Sequence, residues 1–244
     1  MDFYQSISNY YDYIFPYDVA TINFITSFIS KSQSKALLNI GCGTGILDIE
    51  LAKKGFVVKA IDYDTDMIKI ANDKIKDIIL QNKPKFIQLD MKTIKNEFTN
   101  QSFDIITCFG NTLVHLLDKN DIKEFLASVK SLLKQGGIFL LQIINYNYIL
   151  NNNIKNLPLI DNDIITFERF YDYQKEKHLI NFKTILTIKK TGQKIENEIY
   201  LYPLVKEELE EYLQIAGFST LNFYGNFSKN SLEKNSLPLI VKCE

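Results

Sequence analysis

The chain has 244 residues, of which 46% are hydrophobic and 23% charged, with a formal net charge of −1. A chain this long buries about three quarters of its unfolded surface, enough for one α/β core that also carries an insertion. The balanced charge without a lysine cluster disfavours a nucleic-acid partner, no apolar run approaches the roughly 20 residues that span a bilayer, and the opening MDFYQSISNYYD lacks a signal-peptide pattern.

Met1 to Ser30 place aromatic and apolar side chains at helical spacing, which predicts two helices separated near Pro16 and a helical cap over residues 1–33. Leu37 to Ile40 is a short apolar run of the kind buried on both faces of a parallel sheet, and Gly41-Cys42-Gly43-Thr44-Gly45 breaks it. Glycines there permit positive φ and let backbone approach a ligand, while Thr44 is placed to cap the next helix. Val57 to Ile61 reads as a second strand with Asp62 at its carboxyl end, where an acid accepts hydrogen bonds from a ribose diol. Strand, glycine turn, helix, strand and acid in this order grip an adenosine-containing cofactor. A dinucleotide fingerprint puts its third glycine five residues after the first, whereas Gly45 follows Gly41 by four, which disfavours a nicotinamide-dependent oxidoreductase.

Further along, Thr65 to Leu80 is predicted to be a helix with Met67, Ile68, Ala71, Ile75 and Ile78 inward, and Lys85 to Leu89 a strand ending on Asp90. Phe103 to Phe109 reads as the fourth strand, Lys119 to Lys134 as a helix stopped by Gly136-Gly137, and Ile138 to Ile144 as the fifth strand. This alternation indicates a doubly wound, mostly parallel α/β sheet. After Asn145 the rhythm changes: Ile164 to Tyr173, Leu179 to Lys189 and Lys194 to Tyr202 read as antiparallel strands, with Thr191-Gly192 as a turn. Residues 151–203 thus form an insertion expected to lie over the carboxyl ends of the strands as a lid. Helix Val205 to Ala216 and strands Phe218 to Phe223 and Leu237 to Lys242 then return to the sheet.

The G-x-G-x-G loop followed by Asp62 resembles motif I of the class I S-adenosylmethionine-dependent methyltransferases. That resemblance implies a seven-stranded sheet closed by an antiparallel hairpin, and S-adenosylmethionine as the cofactor. It further implies that the loop, here Gly41, Cys42, Gly43 and Gly45, passes the methionine part of the cofactor, and that Asp62, with Tyr63 beside it, holds the ribose. In the same family an acid or amide after the third strand meets the adenine amino group beside an apolar neighbour, the places of Asp90 and Met91. Met67 is either the floor of the adenine or a core filler. An N-terminal segment often folds over the cofactor in related enzymes, which singles out Tyr11 among Tyr10, Tyr11 and Tyr13.

A closer resemblance lies in Gly110-Asn111-Thr112-Leu113-Val114-His115-Leu116 and Asn145-Tyr146-Asn147-Tyr148-Ile149-Leu150, which are similar to segments of the glycine and sarcosine N-methyltransferases. There the backbone at the positions of Phe109 and Gly110 meets the cofactor's amino-acid end, and the amide at Asn111 helps to hold the substrate carboxylate. One departure matters: members that methylate glycine have an arginine where this chain has Ile144, and an aliphatic side chain supplies no forked, charge-assisted clamp. Glycine is therefore disfavoured as the acceptor while methyl transfer is unaffected.

Arg169 is the only arginine, and it falls in the expected lid, either as a clamp for an anionic substrate group or as the partner of Glu168 or another acid. His115 reads as a base or polar wall of a substrate pocket, or as a histidine bonded to backbone; His178 reads as solvated. Two distant histidines and three scattered cysteines, Cys42, Cys108 and Cys243, give no metal spacing and no disulfide framework, which fits a cytoplasmic protein. Asp62-Tyr63-Asp64-Thr65-Asp66 opens like a calcium loop, but Met67 and Asp73 stand where glycine and glutamate are required. Asp64 or Thr65 is expected to cap the following helix. The expectation is a methyltransferase acting on a small molecule, an amine first and an oxygen or sulfur acceptor second. A noncatalytic cofactor-binding module is the alternative of a different class. Oligomeric state is not legible.

Overall fold

The computed structural model describes residues 3–29 and 35–244. The ends of the expected N-terminal cap, residues 1–2 and 30–34, lie outside the described residues. Strands β1 (Ala36–Ile40), β2 (Val57–Asp62), β3 (Lys85–Gln88), β4 (Phe103–Cys108) and β5 (Leu133–Ile144) pair in parallel. A second group, β6 (Ile160–Asp161), β7 (Ile165–Gln174), β8 (Leu179–Ile188) and β9 (Lys194–Leu201), makes a separate antiparallel sheet. The chain then returns through β10 (Leu221–Tyr224) and β11 (Pro238–Cys243), giving a seven-stranded sheet of order β3-β2-β1-β4-β5-β11-β10 in which β11 runs antiparallel to both neighbours. The strand order reverses between β1 and β4, and a crevice opens beyond the carboxyl ends at such a point.

Packing follows from alternation along the strands. On β4, Ile105 faces one layer with Leu37, Leu140 and helices α3 (Val19–Thr26), α4 (Ile46–Lys53) and α5 (Thr65–Ile75). Ile106 faces the opposite layer with Leu38, Leu141 and helices α7 (Lys119–Leu132) and α9 (Lys206–Ile215). Both faces of the parallel strands are covered, as their continuous apolar runs require. Three short helices complete the chain: α1 (Phe3–Ile7), α2 (Tyr11–Ile14) and α6 (Ile94–Glu97), with α8 (Tyr146–Asn151) following β5. Phe3, Ile7 and Ile14 form a third apolar cluster with Ile165, Phe167 and Leu186 of the antiparallel sheet.

Several ends differ from the sequence reading. The break near Pro16 is present, but α1 and α2 are separated by a 3-10 turn over Ser8–Tyr10, so the opening holds three helical segments rather than two. Helix α5 ends at Ile75 and not at Leu80, because Lys83 Nζ donates to the carbonyls of Ile75 and Lys76 and closes the helix there. Gly136-Gly137 stops nothing: α7 ends at Leu132 and β5 starts at once, with a register shift opposite Phe103 and Ile105 that absorbs the glycines as a bulge. A Cβ on Gly137 would come within 3.1 Å of both Lys134 O and Phe103 O, so a side chain there would crowd the two carbonyls.

Under the sheet lies a buried polar chain that the sequence reading missed. Thr107 Oγ1 donates to Asn39 Oδ1 (2.8 Å), and Asn39 Nδ2 donates to both carboxyl oxygens of Asp48 on α4 (3.0 and 3.1 Å). All three side chains are buried, and burial pushes the Asp48 carboxyl from 3.8 up to about 8. The folded state therefore holds a proton that the unfolded state has released across this range. Stability falls as pH rises from about 4 to about 8, with a slope of at most about 1.4 kcal/mol per pH unit, and is flat with respect to this group above that. Urea denaturation at pH 5 and pH 7.5 should show this decline in the wild type and a smaller one in Asp48→Asn, which keeps the shape without the ionisation.

Candidate active site

A cavity of about 320 Å³ opens at the carboxyl ends of β1, β2, β3 and β4 and is closed by the N-terminal segment and β9. Its first wall is the β1–α4 loop. Gly41, Gly43 and Gly45 have φ of +76°, +53° and +76°, a left-handed backbone that only glycine adopts freely. The space over each is taken by the protein itself. A Cβ on Gly41 would lie 2.4 Å from Thr112 Oγ1, one on Gly43 2.8 Å from the Tyr11 ring, and one on Gly45 2.5 Å from the Phe86 ring. Gly41 and Gly43 border the cavity, whereas Gly45 and Cys42 do not. Cys42 is half-buried with its thiol pushed well up by burial, so it packs as a neutral group.

Thr44 does not cap α4. Gly45 is the N-cap, with no side-chain bond, and the Thr44 hydroxyl donates to Asp12 Oδ1. Asp12 also receives Lys74 Nζ at 2.5 Å, and the same ammonium reaches the Thr44 carbonyl at 3.2 Å. This latch ties α2 and α5 to the glycine loop, with Tyr11 held over Gly43.

Asp62, at the end of β2, faces the cavity. Its Oδ2 accepts from the Gly43 amide (2.7 Å) and its Oδ1 from the Asp64 amide (3.0 Å). A carboxylate offers about four acceptor positions, so acceptor capacity remains on both oxygens, the arrangement that suits a vicinal diol. Burial raises the Asp62 carboxyl above its ordinary value, against the lowering effect of those amides. Asp64 caps α5, accepting from the amides of Asp66 and Met67, so the run of acids is committed to backbone rather than arranged around a metal ion.

Tyr63, Met67, Leu89, Asp90 and Met91 continue the wall. Met67 is buried, while Asp90 accepts from the Lys92 amide at 2.9 Å and opens a 3-10 turn over Met91–Thr93. Gly110, with φ of +70°, borders the cavity and donates its amide to Gln142 Oε1 (2.8 Å). Phe109 points elsewhere, with its ring 5.2 Å from that of Phe227 in the core.

Two expected substrate residues lie outside the cavity. Asn111 donates from Nδ2 to Tyr146 Oη (3.0 Å) and accepts the Ile144 amide on Oδ1 (2.9 Å), clasping the turn after β4 to the end of β5. Its amide is engaged with the fold at both ends. Arg169 donates from Nη2 to the Pro158 carbonyl (2.6 Å), and burial lowers its pKa. Neither an anionic clamp nor the alternative ion pair is formed there. His178 sits in the β7–β8 turn, bonded to Tyr173 Oη at 3.0 Å.

The remaining wall comes from Phe3, Tyr4, Tyr11, Thr112, His115, Leu116 and Ile199. His115 Nε2 and Tyr4 Oη are 2.9 Å apart, with the rings edge to face. Tyr4, Phe3 and Ile199 escaped the sequence reading, which had marked only the later tyrosines of the opening segment; the apolar spacing around Phe3 and Ile7 was the available signal. Among the described residues no group of His, Cys, Asp or Glu has the arrangement of a metal site, and no helix is long and apolar enough to cross a membrane.

Residues 37–137 match the family model of a methyltransferase domain. A provisionally named methyltransferase of Geobacillus sp. (strain WCH70) is 26% identical over 243 residues, 96% of each chain. The glycine/sarcosine N-methyltransferase of Aphanothece halophytica is 26% identical over 222 residues, covering 84% of this chain and 74% of that one. In fold, the crystal structure of an S-adenosylmethionine-dependent methyltransferase from Clostridium acetobutylicum aligns with a TM-score of 0.81 at 22% identity, over 100% of this chain and 99% of that one. The glycine loop, the acid that ends β2 and the closing antiparallel hairpin agree with these likenesses. Residues 37–137 are thus a methyltransferase domain, the chain has the fold of the S-adenosylmethionine-dependent methyltransferases, and S-adenosylmethionine is the cofactor.

Proposed function

We propose that the protein transfers a methyl group to the nitrogen of a small-molecule amine, working in the cytoplasm. The observation that carries the cofactor half is Asp62, anchored by two backbone amides with acceptor capacity left toward the cavity. In this reading Asp62 holds the ribose hydroxyls, Gly41, Gly43 and Gly110 border the amino-acid portion, and Met67, Asp90 and Met91 border the adenine. Bound S-adenosylmethionine supplies a methyl group already activated on a sulfonium, so the chain's task is alignment and exclusion of water. Alignment of this kind is worth about 7–11 kcal/mol in favourable systems. Tyr11 closes over Gly43, and the insertion across residues 151–203 serves as the lid through its contacts with α1 and α2.

The nitrogen acceptor is favoured by the likeness to a glycine/sarcosine N-methyltransferase, and the cytoplasm by three cysteines that are all free. Transfer to oxygen or sulfur by the same site is the second reading. Incubation with methyl-labelled S-adenosylmethionine and a panel of amines, alcohols and thiols, followed by product identification, should yield N-methyl products. Cofactor binding without transfer to any of them would leave a binding module. Asp62→Asn replaces one acceptor oxygen by a donor and should weaken S-adenosylmethionine binding about tenfold or more in calorimetry, the worth of one charged hydrogen bond.

Arg169 provides a contrasting check, since its guanidinium is turned to Pro158. Arg169→Lys should leave the acceptor KM unchanged and lower stability by at most about 1 kcal/mol, the net worth of one hydrogen bond. A marked rise in KM would restore the clamp.

A further inference from the structure

Three elements distant in sequence supply a patch of the cavity wall that carries neither the glycine loop nor Asp62. Phe3 and Tyr4 come from α1, His115 and Leu116 from the turn after β4, and Ile199 from β9. Phe3 and Leu116 are buried, and with Ile199 they present hydrocarbon to the cavity. Within this patch Tyr4 Oη and His115 Nε2 are bonded at 2.9 Å.

Charge around the cavity is one-sided among the described residues. Its ionisable acids are Asp62, Asp64 and Asp90, and its basic side chain of fixed charge is Lys92, which is drawn to Asp121 at 2.8 Å. Arg169 and Asn111, the two groups suited to a carboxylate, are bonded elsewhere. An acceptor carrying a carboxylate would meet three acids without a forked cation to receive it, an uncompensated charge in a half-closed space.

We infer that Tyr4 and His115 form a proton relay for an amine whose body is apolar and lacks a carboxylate. This rests on the methyl-transfer reading and narrows its acceptor. The amine lies against Phe3, Leu116 and Ile199 with its nitrogen toward Tyr4. The nitrogen lone pair bonds to the methyl carbon as the carbon–sulfur bond breaks, with that electron pair remaining on sulfur as a neutral thioether. The nitrogen, now positively charged, gives a proton to the Tyr4 oxygen while the phenol's own proton moves along the 2.9 Å bond to His115 Nε2. His115, protonated on Nδ1 before the step, becomes imidazolium and returns the proton to water. Tyr4 is then the catalytic residue that touches the acceptor, and His115 takes the proton through it.

The test uses the full chain with labelled S-adenosylmethionine, benzylamine as the apolar amine, and glycine and sarcosine as the carboxylate-bearing ones. Wild-type kcat/KM should favour benzylamine by about tenfold or more, since the site lacks a partner for the carboxylate. Tyr4→Phe and His115→Gln should each lower kcat on benzylamine by about 100-fold, the low end for proton-transfer catalysis, with acceptor KM and cofactor affinity nearly unchanged. Phe3→Ala should instead raise the acceptor KM. If Tyr4→Phe melts early, His115→Gln carries the kcat comparison. Preference for glycine or sarcosine, or an unchanged kcat in both relay variants, would overturn the inference while leaving methyl transfer standing. Cofactor binding with no methylation of any amine would overturn methyl transfer to nitrogen itself, and the inference with it.

Discussion

Left-handed backbone at Gly41, Gly43 and Gly45 is the constraint through which the rest of the site is assembled. Each of these residues lacks a Cβ at a point where another part of the chain presses in: Thr112 from the turn after β4, the Tyr11 ring from α2, and Phe86 from β3. The loop is thus a socket for three neighbours. Because Asp62 holds the Gly43 amide, the end of β2 is locked to the same turn. A side chain at Gly41 would both strain the backbone and displace Thr112 from the wall of the cavity, and one at Gly45 would strain the backbone and press on Phe86 behind it. The Asp12–Thr44–Lys74 latch extends this dependence outward, so the N-terminal segment is held by the loop that it covers.

The cavity built on that socket is divided in chemistry. The strand ends bring carboxylates and backbone amides, groups that recognise hydroxyls and cationic or polar portions of a ligand. The cap and β9 bring aromatic and aliphatic surface. This division follows from the architecture: parallel strands end in turns whose polar groups must be satisfied, whereas α1 and β9 reach the cavity with the apolar faces they use to pack on each other. Asn111 illustrates how the fold can claim a residue that looks functional. Its left-handed conformation, φ of +67°, turns its amide to Ile144 and Tyr146, and the Gly110-Asn111 pair becomes the hinge of a clasp between β4 and β5.

What could be read in the chain was local. The spacing of Gly41 to Gly45, the acid at the carboxyl end of the run Val57 to Ile61, and the helix cap at Asp64 are set by residues adjacent in sequence, and their conformations follow the expected pattern. The alternation of strand and helix and the antiparallel insertion were legible for the same reason, from the rhythm of short apolar runs, whereas the order of the strands in the sheet came only with the structure. Element ends were less so: Lys83 shortens α5 by capping it from eight residues away, and the bulge at Gly136-Gly137 depends on how β4 and β5 align. Tyr4, Arg169 and Asp48 were misread or missed because their surroundings are made by residues far along the chain. Tyr4 acquires its partner 111 positions later, and Asn39 joins Asp48 to Thr107 on a different strand.

The same distances bear on how the molecule comes into being. Phe3, Ile7 and Ile14 find their apolar partners at Ile165, Phe167 and Leu186, and Ser6 accepts a hydrogen bond from Asn197 at 2.7 Å. These contacts close very long loops, so they form only once the antiparallel sheet is in place. A nascent chain with β1 to β5 already paired would own the glycine socket and Asp62 but only part of the wall. Without the antiparallel sheet the molecule keeps the strand-end side of the cavity and lacks the aromatic cover that completes it.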